Sequence, residues 1–159
     1  MHISRPMQEA FMKEAIAEAK KAILASEVPV GAIIVMDGNI IASAHNEVEN
    51  TNDATAHAEI LAIKRAGHKL GTWRLDGAEM FVTLEPCTMC IGAIISARIS
   101  KLYFGCYDAK FGAVGSRYNI ADTLTGEYAN ESGLKVYPEV LKDESAELLR
   151  EFFKDCRCK

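Results

Sequence analysis

Apolar residues recur at three- and four-residue intervals at Met7, Ala10, Phe11, Ala15, Ala19, Ala22 and Ile23, with Glu14, Glu18, Lys20 and Lys21 between them. That spacing predicts an amphipathic helix over Met7–Leu24. Pro29 interrupts it, and two apolar runs follow, Val30–Met36 and Ile40–Ala44, separated by Asp37-Gly38-Asn39. An Asp-Gly pair between such runs predicts a β-hairpin. The polar stretch Asn46–Thr55 offers Asn52, Asp53 and Thr55 as caps for a second helix over Ala56–Ala66, whose first turn then holds His57 and Glu59. Met80–Leu84 reads as a third strand, and Pro86 suits the first position of a third helix running through Ile91, Ala93, Ile94 and Ile95. Cys87 and Cys90 then share one face of its first turn. Lys101–Gly105 and Leu134–Tyr137 read as the fourth and fifth strands, and Glu144–Phe153 as a closing helix. Tyr107–Gly133 is Gly-rich and polar and is assigned only in part. Strands alternating with helices predict an α/β layered fold. No linker, internal repeat or low-complexity stretch divides the sequence, so a single domain over residues 1–159 is expected.

Composition narrows the function classes. Of the 159 residues 49% are hydrophobic and 25% charged, the balance of a globular domain with a real core. The longest apolar stretch, Val28–Met36, is well short of the about 20 residues that cross a membrane, and Glu9 and Glu14 stand where a signal peptide needs an apolar run. A cytoplasmic protein with no membrane partner is expected. The net charge of −4 excludes a global basic field, so any nucleic acid must be held by a local patch. Five cysteines in a reducing compartment, two of them in the tight pair Cys87 and Cys90, favour metal binding or catalysis over a disulfide framework.

The strings His57-Ala58-Glu59 and Pro86-Cys87-Thr88-Met89-Cys90 together supply one imidazole, two thiolates and a spare carboxylate. Zn²⁺ takes N and S ligands tetrahedrally, and three protein ligands leave a fourth position for a water whose pKa the metal lowers toward neutrality, a hydroxide nucleophile at working pH. Helix N-termini favour thiolate at the two cysteines. On a regular helix Glu59 lies about 200° around from His57, so it fits a proton-shuttling acid/base better than a ligand. Hydrolytic deamination of an amino-purine or amino-pyrimidine needs this set. A lone Cys-x-x-Cys is often a structural zinc half-site or a redox pair. His57-x-Glu59, thirty residues before Cys87, argues for the catalytic alternative, because a structural site wants a fourth ligand and a redox pair wants neither residue. Cys106 reads as a packed thiol, and Cys156 and Cys158 as tail residues.

His-x-Glu with Pro-Cys-x-x-Cys resembles the signature of zinc nucleobase deaminases. The likeness extends through Glu27-Val28-Pro29-Val30-Gly31-Ala32, Thr55 to Ile60, Val82 to Cys90, and Asp108-Ala109-Lys110 with Gly112, over nearly the whole chain. These segments are similar to the bacterial tRNA-specific adenosine deaminases, which make inosine at the anticodon wobble position. The resemblance implies a three-layer cytidine-deaminase-like α/β fold, a five-stranded mixed sheet flanked by helices, and a homodimer. It implies one Zn²⁺ per chain on His57, Cys87 and Cys90, with Glu59 as proton shuttle. It further implies that Asn46 contacts a flipped nucleoside, that Val28, Pro29, Ala58 and Leu84 border its pocket, and that Asp108 and Lys110 lie beside a tRNA anticodon stem-loop. From spacing alone Asn46 is an ordinary turn residue, and Asp108 and Lys110 a solvated loop.

Two segments depart from that family's pattern. Tyr128–Lys135 reads Tyr-Ala-Asn-Glu-Ser-Gly-Leu-Lys where an Asn-His pair with a basic residue is usual. The closing helix keeps Phe152, Phe153 and Arg157 but places Asp155 and Cys156 where the family is more basic. Less positive surface leaves fewer phosphate contacts. The alternative reading keeps the chemistry and changes the substrate to a free nucleobase or nucleoside of the guanine, cytosine or cytidine type. A third, a zinc-stabilised binding module, leaves Glu59 without a purpose.

Overall fold

The computed structural model describes residues 3–124 and 133–157. Its centre is a five-stranded sheet of β1 (Gly31–Met36), β2 (Asn39–His45), β3 (Glu79–Leu84), β4 (Lys101–Cys106) and β5 (Lys135–Tyr137), in the order β2-β1-β3-β4-β5. β1 pairs antiparallel with β2 and β3, whereas β3, β4 and β5 run parallel, which makes the sheet mixed. The Asp37-Gly38 turn joins β1 to β2 with positive φ at both residues, the two-residue turn that the sheet's right-handed twist favours.

The three central strands, β1, β3 and β4, are buried on both faces because helices cover each one. Alternate residues sort cleanly: Ile33, Val35, Phe81 and Tyr103 pack with Met12, Ala15, Ile16 and Ala19 of α1 (Arg5–Leu24) and Leu148 of α6 (Lys142–Arg157). Ala32, Ile34, Met80, Val82, Leu102 and Phe104 pack with Ala58, Ala62 and Ala66 of α3 (Ala58–Leu70) and Ile91 and Ile94 of α4 (Thr88–Ser96). The three-layer α/β arrangement expected above is what forms. At Gly31 a Cβ would stand 2.0 Å from the Ala15 carbonyl and 2.4 Å from the Ala19 nitrogen, so α1 lies directly on β1 only because that residue is glycine.

Several boundaries differ from expectation. α1 begins two residues earlier than Met7, at Arg5, with Pro6 in its first turn. Within the polar stretch a short helix, α2 (Val48–Thr51), ends at Asn52 in the left-handed conformation. Asn52 therefore closes α2, and Asp53 Oδ1 accepts from the Thr55 N–H and hydroxyl, so none of the three proposed caps starts α3. Helix α4 starts at Thr88, not at Pro86, and α5 (Ile120–Leu124) falls in the stretch left partly unassigned. The segment Tyr128–Lys135, where the family pattern breaks, lies largely outside the described residues, as do Cys158 and Lys159. Among the described residues no helix is long and apolar enough to cross a membrane.

Candidate metal centre and substrate cavity

His57 and Cys87 each stand one residue before a helix, with extended backbone at φ −72°, ψ 150° and φ −76°, ψ 176°. Residues at that position normally turn a side-chain oxygen back onto the helix's free N–H groups. Neither does so here, which leaves the imidazole and the thiol free to face each other. His57 is thus not in the first turn, and the angular argument about His57 and Glu59 on one regular helix does not hold; the two residues diverge because one is extended and the other helical. Cys87 and Cys90 span the entry and the third residue of α4 rather than sharing a helical face.

His57 Nδ1 lies 3.5 Å from Cys90 Sγ and 3.8 Å from Cys87 Sγ, and one ligand atom from each of the three lies within 4.8 Å of the others. A tetrahedral Zn²⁺ with bonds of about 2.0–2.1 Å to nitrogen and about 2.3 Å to sulfur sets N···S edges of about 3.6 Å. The trio fits that ion. Glu59 is outside the group but buried at 4% exposure, on the same cavity wall. Burial pushes its carboxyl up to about 7. Hydrogen bonding with Cys90, ahead of His57, holds the Cys87 thiol down at about 4, and the same contact with burial pushes Cys90 above the usual thiol range. His57 is raised, first by its hydrogen bond with Cys87.

A cavity of about 850 Å³ opens over this trio at the C-terminal ends of β3 and β4, the place where open α/β sheets hold ligands. Asn46, Val28 and Leu84 border it, as do Asp108 and Lys110. Pro29 and Ala58 are buried and do not line it. The Asn46 Oδ1 accepts the Ala58 N–H at 2.9 Å, so Asn46 supplies the cap that His57 withholds. Asp108 Oδ1 accepts the N–H groups of Lys110 and Phe111 and turns the loop, and the Lys110 ammonium sits 5.3 Å from the Phe111 ring centre. Cys106 is buried, its thiol toward the Thr83 carbonyl, away from the trio.

Sequence reasoning missed most of the rim. Met89, Tyr107, Phe111 and Phe153 are exposed large side chains from three separate segments, and all line the cavity. An aromatic residue in a polar Gly-rich loop, as at Phe111, was the available signal. Glu85 was also overlooked. Its carboxylate is buried and accepts the backbone N–H groups of Asp108, Val114 and Ser116.

Comparison with known proteins agrees with this geometry. Residues 5–106 match the cytidine and deoxycytidylate deaminase zinc-binding region. A tRNA-specific adenosine deaminase of Bacillus subtilis is 47% identical over 95% of this chain and 91% of its own length. A structure solved in a study of A-to-I editing by tRNA:A34 deaminases at the wobble position of transfer RNA superposes with a TM-score of 0.82 at 46% identity, over 88% of this chain and 99% of that one. The guanine deaminase of Nitrosomonas europaea superposes at 0.78 with 29% identity, over 91% and 83% of the respective chains. In sequence and in fold, the chain belongs to the cytidine and deoxycytidylate deaminase family, alongside relatives that are tRNA-specific adenosine deaminases.

Proposed function

We propose that this protein hydrolytically deaminates adenosine to inosine at the wobble position of a tRNA anticodon, in the cytoplasm and as a homodimer. Its nearest supports are relatives of that activity at 47% identity and a cavity whose floor suits one base and whose rim suits its neighbours. The observation that carries the RNA substrate is the rim. Met89, Tyr107, Phe111 and Phe153 offer exposed faces on which unpaired bases stack, and Lys110 stands among them for a phosphate.

His57, Cys87 and Cys90 would hold one zinc ion per chain, which when bound acidifies a water and supplies the nucleophile for C6 of the purine. Glu59 takes the proton released as that C–O bond forms and delivers it to the ring nitrogen N1. The same carboxylate then takes the proton of the new C6 hydroxyl and passes it to the exocyclic amine as the C6–N bond breaks, so that C6 becomes a carbonyl and ammonia leaves. Burial keeps Glu59 close to the pKa at which one carboxyl both accepts and donates. Asn46, fixed through Oδ1 by Ala58, turns its NH₂ toward the base, and Val28 and Leu84 close over the ring. Asp108 shapes the loop that presents Lys110. α4 leaves open space over Gly92, a surface on which a second copy can pack closely.

A second reading, deamination of a free purine base, is favoured by the likeness to the Nitrosomonas guanine deaminase and by the cavity's charge. Glu27, Glu49, Glu59, Glu85 and Asp108 line it, with Lys110 the one Lys or Arg among the described lining residues. One experiment separates the two: turnover of an anticodon stem-loop with wobble adenosine, free adenosine and free guanine at two salt concentrations. Inosine in the stem-loop with negligible turnover of the free compounds is expected, falling as salt rises but less steeply than for a strongly basic enzyme. Rapid, salt-insensitive turnover of a free base with no inosine in the stem-loop would refute the tRNA reading.

A further inference from the structure

We propose that Glu85 is a positioning residue: its carboxylate presets the loop of residues 107–116 against the metal ligand Cys87, and the loop's grip on substrate depends on it. This rests on the tRNA reading above. Glu85 is 2% exposed, and no Lys or Arg pairs with it among the described residues. A buried carboxylate without a cation is costly unless donors surround it. Here the loop surrounds it. Oε2 accepts the Asp108 N–H at 2.9 Å and the Ser116 hydroxyl, and Oε1 accepts the N–H groups of Val114 at 2.9 Å and Ser116 at 3.0 Å.

The loop also passes directly over the carboxylate. A Cβ at Gly112 would stand 2.2 Å from Glu85 Oε2 and 2.4 Å from its Cδ, so only glycine lets the backbone come this close. The next residue, Ala113, donates its N–H to the Pro86 carbonyl at 3.0 Å, and Gly112 forms a bridge with Cys87. The same short segment, Glu85 to Cys87, therefore carries both the anchor of the loop and a zinc ligand. From Asp108 the order continues outward, because its Oδ1 holds the amides of Lys110 and Phe111. The path from Glu85 to the two residues that face the substrate is thus one backbone amide and one Asx turn. No contact of Glu85 itself with substrate is required.

Glutamine cannot replace it. In either orientation its NH₂ group meets at least one backbone N–H, since each carboxylate oxygen accepts at least one. The test is Glu85→Gln and, independently, Gly112→Ala in the zinc-loaded full chain, with zinc content, stem-loop KM and kcat, and amide hydrogen exchange measured. Both variants should keep one zinc and raise KM by about tenfold or more, with kcat changed less than KM. The amides of Asp108, Val114 and Ser116 should exchange faster by about tenfold or more. Lys110→Ala, which raises KM in the wild type, should add less than about twofold in the Glu85→Gln background, because the two act through one loop. An unchanged KM with unchanged exchange, or full additivity with Lys110→Ala, overturns the proposal. So does loss of zinc and fold in both variants, which makes Glu85 a structural residue only. If the wild type itself ignores the stem-loop, the substrate reading fails, and the exchange rates alone still decide whether Glu85 sets the loop.

Discussion

The side chain of Asn46 caps the helix that carries Glu59: its Oδ1 accepts the Ala58 N–H at 2.9 Å, one residue before that carboxyl. A backbone N–H can only be met by the oxygen of the amide, so this bond fixes which way Asn46 faces and directs its NH₂ into the cavity. The helix cap and a cavity-facing donor are therefore two ends of one group. Asn46→Asp keeps an acceptor for Ala58 and loses the donor, so the helix should hold while stem-loop KM rises about tenfold or more. Asn46→Ala should lose both, with a further stability cost of about 1 kcal/mol in denaturant unfolding. Equal KM in Asn46→Asp and wild type would remove Asn46 from base recognition.

Elemental analysis should find one zinc per chain, lost in Cys87→Ala together with turnover. Binding should weaken as pH falls. His57 is raised by its bond with Cys87, and Cys90 lies above the usual thiol range, so protons compete with the ion at both positions as the pH falls. The apparent association constant should rise by about 100-fold per pH unit below the His57 pKa and about tenfold above it. Competition with a chelator at several pH values measures the slope; a flat profile would mean that other groups hold the metal.

Glu59→Gln keeps the shape of a side chain buried at 4% exposure and cannot carry a proton. Zinc content and stem-loop binding should survive, and kcat should fall by at least about 10²-fold. A loss under tenfold would assign the proton transfers to another group.

Cys106 and Cys156 should differ in reactivity. Burial pushes the Cys106 thiol up to about 11, whereas Cys156 is exposed on α6. At pH 8 about one Cys106 in a thousand is thiolate, so alkylation read by peptide mass should mark Cys156 and spare Cys106 until the protein unfolds. Labelling of both at similar rates in the folded protein would contradict the burial of Cys106.

Short-range signals were the readable part of this chain. The three-to-four spacing of α1, the apolar runs of β1 and β3 and the Asp37-Gly38 turn are local, and such patterns follow from which faces of one element meet the core. The trio of His57, Cys87 and Cys90, which the fold brings within 4.8 Å of one another, was legible because its chemistry is carried by residue type: an imidazole and two thiols at such spacings have few other uses. What the sequence left open depends on segments that meet only after folding. At α3 the capping bond is taken over by Asn46, twelve residues from Ala58, so that His57 stands before its helix with its side chain free. The cavity rim unites Met89, Tyr107, Phe111 and Phe153 from the N-terminus of α4, the loop after β4 and the closing helix, and no periodicity links those positions. Glu85 reads in sequence as one acidic residue at a strand end. Only the tertiary structure lays the Gly112 backbone across it, because a buried carboxylate must find its donors wherever the chain returns.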